Sequence, residues 1–154
     1  MTALRPIVVG ALVAGGLDIL DAWIFFWFRG VPPITILHSI ASGLIGRAAY
    51  QGGLRTAVLG LALHFFIATV VAAVFVVSSR AWPALVARPF AWGAVYGVAV
   101  FFTMRDVVLP LAGVPPGRFS WPVFVNGFTI HVFGIGLPIA LAARRWRPAD
   151  PRRR

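Results

Sequence analysis

The chain has 154 residues, 60% of them hydrophobic and only 12% charged, with a mean hydropathy of +0.89. A soluble domain runs nearer half apolar and a quarter charged, so an ordinary globular protein is excluded. All 14 basic residues are Arg; against 4 Asp and no Glu they give +10 at pH 7, and there is no Cys. Paired-carboxylate chemistry in a soluble site has little to draw on, and disulfides, Fe–S clusters, thiolate zinc sites and covalently attached haem are ruled out.

Crossing about 30 Å of hydrocarbon takes roughly 20 apolar residues. Four stretches qualify: 7–28, 56–78, 90–112 and 122–143. Each must satisfy its own backbone hydrogen bonds, so the expected fold is an all-α integral membrane four-helix bundle over 1–143, followed by a basic tail at 144–154. The first stretch has the look of a signal peptide, with Arg5 before an apolar run that reaches Gly15-Gly16. Its apolar character resumes after Asp21, however, which marks it as a retained helix. In the long loop that follows, Pro32-Pro33 ends the first span. Residues 34–48 then place Leu37, Ile40, Ala41, Leu44 and Ala48 on one helical face and His38, Ser42 and Gly46 on another. This is the pattern of an interfacial or re-entrant segment.

Arginine placement sets the expected orientation. With the N-terminus cytoplasmic, that side holds Arg5, Arg80, Arg88 and six arginines from Arg144 onward, nine in all against five on the other. Trp23, Trp27 and Trp121 then lie towards outer ends and Trp82, Trp92 and Trp146 at inner ones, the depth that indoles favour. The tail cations Arg144, Arg145, Arg147, Arg152, Arg153 and Arg154 point to anionic lipid headgroups as a partner rather than to nucleic acid. Gly30-Val31-Pro32-Pro33 recurs as Gly113-Val114-Pro115-Pro116, a faint sign that the two helix pairs are parallel repeats.

Ionisable residues inside spans are expensive, so each needs a partner or a function. Asp21, His64, Arg105 and His131 come from four different spans, roughly 10–14 Å below the outer boundary at 1.5 Å per residue. Asp18 lies a turn deeper, and Asp106 adjoins Arg105. Small residues on the same helical faces (Gly10 and Ala14; Gly60 and Ala68; Gly93 and Gly97; Gly127 and Gly134) turn this layer towards the bundle axis. Below it the interior offers only Tyr96, Thr69 and backbone. The expected result is a one-sided polar pocket of Asp18, Asp21, His64, Arg105, Asp106 and His131 near the outer leaflet. A through-channel is not expected.

Three uses of that layer remain open. It is polar glue between helices; or His64 and His131 are axial ligands of a b-type haem; or His64, His131, His38 and Asp21 hold a transition metal. Ser39, Ser42 and Ser120 lie in no nucleophile-elbow pattern, so nucleophilic catalysis is disfavoured.

Several segments together carry a family likeness: Gly16-Leu17-Asp18, the run from Ile40 to Gly46, Leu59-Gly60 with His64-Phe65, Tyr96-Gly97, Val108-Leu109-Pro110-Leu111, and His131 with Gly136-Leu137-Pro138-Ile139-Ala140. In these the chain resembles small bacterial inner-membrane proteins, distantly of the YagU type. The resemblance implies a four-helix fold in a bacterial plasma membrane and brings no activity, cofactor or catalytic residue. Arg105-Asp106 departs from the family pattern. The expected role is a non-catalytic accessory, anchoring or small-ligand-binding membrane module, in a larger complex or a homo-oligomer. The alternative is a haem- or quinone-linked redox protein using His64 and His131.

Overall fold

A computed structural model describes residues 3–114 and 118–146, and among these the chain is all-helical without strands. Helix α1 (Leu4–Trp27) leads to α2 (Pro33–Ile45), then through the tight turn Gly46–Gln51 into α3 (Gly53–Ala81). The one-turn α4 (Ala84–Ala87) connects to α5 (Pro89–Leu111), and α6 (Trp121–Arg145) completes the described chain. Helices α1, α3, α5 and α6 are long and apolar enough to cross a membrane. They overrun the hydropathy windows at most ends because Arg5, Arg55, Arg80 and Arg144 end an apolar run without ending a helix. Tail residues Arg147 and Arg152 to Arg154, and the Pro115-Pro116 half of the repeat, lie outside the described residues.

Helix starts use proline near the first position (Pro33, Pro89, Pro122), where the missing N–H costs nothing. The recurrent Gly-Val pair proves to be a helix stop. Gly30 and Gly113 both adopt positive φ, at 79° and 68°. The Gly30 N–H donates to the Trp27 carbonyl and that of Val31 to Phe26; Gly113 and Val114 repeat this on Pro110 and Leu109. These are two copies of the Schellman motif, whose left-handed residue favours glycine.

Helix α1 packs on α3 and α6, and α5 packs on α6. The closest approaches are made by glycine. A Cβ on Gly97 would fall on the His131 carbonyl, one on Gly136 on the Gly93 carbonyl, and one on Gly60 on the Leu37 carbonyl of α2. Helices α3 and α5 are instead joined by a side chain. The Tyr96 hydroxyl donates to the Val71 carbonyl at 2.7 Å, and its ring meets Phe75 edge-on. On the side of Tyr96 nearer the termini, Ala11, Ala14, Ala72, Phe75, Val76, Val86, Ile139, Ala140 and Ala143 form a closed core. On the other side α2 packs on α3 and α1. Large apolar side chains such as Leu12, Ile24, Val58, Phe66, Val95 and Phe133 stand exposed around the bundle.

In α2 both faces find partners. Ala41 is fully buried and Ile40 and Leu44 border the interior, while on the other face His38 is buried and its Nε2–H donates to the Gly53 carbonyl at 2.9 Å. Thr56 likewise donates to the Ala49 carbonyl at 2.6 Å, and together these contacts pin both ends of the turn.

Candidate functional site

Between α1, α2, α3, α5 and α6 lies a cavity of about 430 Å³. Its walls come from α1 (Gly15, Asp18, Ala22), α2 (Ile36, Ser39, Ile40), α3 (Leu63, His64, Ile67), α5 (Val100, Met104, Val108) and α6 (His131, Ile135, Ile139), among others. Nearly all of this surface is apolar. Among the described residues, Asp18, His64 and His131 are the only ionisable side chains on it, with Ser39 as the one hydroxyl.

Both imidazoles are oriented by backbone carbonyls. The His64 Nε2–H donates to Gly15 across the α1–α3 interface at 2.8 Å, and the His131 Nδ1–H donates to Gly127 one turn back in α6, also at 2.8 Å. A carbonyl can only accept, so each contact fixes which nitrogen carries the proton of the neutral ring. In that form Nδ1 of His64 and Nε2 of His131 keep their lone pairs. The Asp18 Oδ2 lies 4.0 Å from the His64 Nδ1, which is beyond a hydrogen bond. Side-chain exposure is 12% for His64 and 25% for Asp18, so both are shielded but not sealed.

Two widened turns frame the cavity. Residues Met104–Val108 in α5 and His131–Gly136 in α6 form π-helical segments. In each, the N–H of the following leucine bonds five residues back, Leu109 to Met104 and Leu137 to Val132. The cause is the proline that comes next, Pro110 or Pro138. It cannot donate to the carbonyl four residues earlier and its ring crowds that carbonyl. The helix accommodates one extra residue, and such bulges occur often at functional sites.

The π-turn in α5 carries Arg105 and Asp106. The stripe Gly93, Gly97, Phe101 extrapolates to Arg105, but that stripe meets α6, and the cavity takes the neighbouring face of Val100, Met104 and Val108. Arg105 and Asp106 lie outside it, 44% and 54% exposed, 3.5 Å from each other, with Arg105 also over the Phe124 ring. Asp21 is likewise not on the cavity wall. Three residues past Asp18 it has rotated towards α6, where the Asn126 Nδ2 donates to its Oδ2 at 2.6 Å. Asn126 is the polar residue that sequence reasoning overlooked. A lone amide inside an apolar span was signal enough, because it too needs a partner.

Of the ligand sets considered, the metal set does not fit this arrangement. For haem, each ring keeps one nitrogen clear of its backbone carbonyl, Nδ1 on His64 and Nε2 on His131, and the His64 nitrogen has the Asp18 carboxylate 4.0 Å away. For a metal, His38 is committed to Gly53 and Asp21 to Asn126. Among the described residues no group of three or more His or acidic side chains is placed to hold an ion. No family model matches this chain, and comparison with curated proteins and with solved structures likewise finds no match.

Proposed function

We propose that this chain is a multi-pass membrane protein that binds a small, largely apolar molecule between its helices, as a binding or accessory module rather than a catalyst. One observation carries the reading. A cavity of about 430 Å³ falls within the size range of small-molecule sites. Its mostly apolar wall with a few convergent polar groups is the usual make-up of such a site. Both imidazoles are immobilised on backbone carbonyls, which suits recognition: a prearranged site spends little entropy in binding.

Adamantanol, a compact neutral cage, should bind the detergent-purified protein and raise its melting temperature. Ala22→Phe, which projects a ring from the α1 wall into the cavity, should abolish that shift while leaving the unliganded protein folded. Equal shifts in both proteins would remove the cavity as the binding place. A Soret band in freshly purified protein would favour the redox reading instead.

In this reading the membrane is the bacterial plasma membrane, as the YagU-like segments suggest, with both termini cytoplasmic. The arginine excess at that end supports the orientation. Arg144 and Arg145, exposed in the last turn of α6, are placed to meet anionic headgroups. Reporter fusions after Arg154 and within residues 81–88 should therefore both read cytoplasmic. A periplasmic signal from either would reverse the assignment and put the cavity in the inner leaflet.

A further inference from the structure

We infer that the ligand is a lipophilic ammonium, an amine carried on an apolar body, held by Asp18, His64 and His131; this rests on the ligand-pocket reading above. The basis is an inventory of donors and acceptors on the cavity wall. The two imidazole N–H groups are already spent on the Gly15 and Gly127 carbonyls. The nitrogens left over, Nδ1 of His64 and Nε2 of His131, carry lone pairs, and the Asp18 carboxylate accepts only. Among the described residues the Ser39 hydroxyl is the only remaining side-chain group that can donate, and it can equally turn a lone pair inward. The site is therefore built almost entirely of acceptors and lacks donors.

Such a site discriminates by charge and by hydrogen-bond sense. A carboxylate, phosphate or quinone carbonyl would bring further lone pairs against lone pairs, leaving buried acceptors unpaired on both sides. An ammonium supplies what is missing. The Asp18 Oδ2 and the His64 Nδ1 stand 4.0 Å apart, too far to bond each other. One tetrahedral nitrogen can nevertheless reach both at about 2.8 Å, the length of a charge-assisted bond. His131 shares the wall with Asp18. Among the described residues no arginine lines the cavity, and the closest one by sequence to its α5 wall, Arg105, is outside and paired with Asp106. With both imidazoles neutral, the wall carries one uncompensated negative charge, in a setting where water screens poorly. The apolar remainder, from Ile36 and Ile40 through Ile67 to Ile135, takes the body of the amine.

The test is a matched series on one cage: aminoadamantane, adamantanol and adamantane carboxylate, measured by thermal shift and by titration of the intact detergent-purified chain. The charged pairing should make the amine bind about tenfold tighter than the alcohol, with the carboxylate weakest. Asp18→Asn, which keeps shape and one acceptor, should remove the amine's advantage and leave adamantanol binding as it was. Equal affinity of amine and alcohol in the wild-type chain overturns the inference while leaving the ligand pocket intact. So does a preference for the carboxylate, which would mean that the imidazoles are protonated and the site cationic. Failure of all three compounds to bind would remove the pocket reading and this inference with it. Because the wild-type series decides on its own, a folding defect in Asp18→Asn does not rescue the claim.

Discussion

Replacing Gly97 by alanine should destabilise the protein by about 3 kcal/mol, the upper part of the range for overpacking a close-fitted interior. The reason is that its neighbours are backbone. The added Cβ would fall on the His131 carbonyl and within 2.7 Å of the Val132 Cα. A side chain in that position could swing aside, but a carbonyl in a helix cannot. On the facing helix Gly136 lies against Gly93 and Gly97 in the same manner, so α5 and α6 meet at a pair of glycines and neither can retreat without moving the other. Propensity alone predicts the opposite sign, since alanine in a helix interior is favoured over glycine by roughly 0.5–1 kcal/mol. Gly16→Ala provides the control. That glycine is also inside a helix, α1, yet a Cβ there meets nothing within 4 Å. It should leave stability unchanged or slightly raised. Thermal unfolding in one detergent, with the two variants side by side, measures the contrast. A Gly97→Ala protein as stable as Gly16→Ala would mean that α5 and α6 do not approach as closely as described. A destabilised Gly97→Ala should also lose binding in the cavity, because the displaced backbone is that of His131.

How much of this could be read from sequence depends on which physical signal each feature leaves. The four long helices leave the strongest one, a run of apolar residues of membrane-spanning length, and they lie within a few residues of the hydropathy windows. Close helix contacts were legible as glycines at helical spacing, since no other residue lets two backbones touch. Asp18, His64 and His131, drawn from three spans, share one cavity wall. Which face of α5 borders that wall was not legible. The glycine stripe of α5 marks the face that meets α6, and one more step along it reaches Arg105, whereas Val100, Met104 and Val108 on the neighbouring face line the cavity. The Leu109-Pro110 and Leu137-Pro138 pairs, part of the family likeness in sequence, are the cause of the widened turns in structure. His38 and Asp21 went astray for a different reason. Their partners are the Gly53 carbonyl and the Asn126 amide, which are neither charged nor periodic. Hydrophobic patterning has no means of seeing a single hydrogen bond between distant segments.

His64→Leu should lower stability by about 1 kcal/mol, the worth of the bond from Nε2 to the Gly15 carbonyl that ties α3 to α1. With the imidazole neutral and its Nδ1 4.0 Å from the Asp18 Oδ2, no ion pair is broken with it. Asp18→Asn introduced alone should leave stability unchanged or slightly raised, because it removes a shielded charge that has no counter-charge. The two substitutions should therefore add in the double variant. Thermal unfolding of the two single variants and the double one in the same detergent measures this. A double variant clearly more stable than His64→Leu would show that the imidazole is protonated and balances the carboxylate. The wall would then be neutral, and the preference for an ammonium would go with it. His131→Leu, made in the wild-type and in the Asp18→Asn chain, applies the same test to the other ring. It should cost about 1 kcal/mol or less in both, since only the local Gly127 bond is lost. A larger cost in the chain that keeps Asp18 would place the counter-charge on His131.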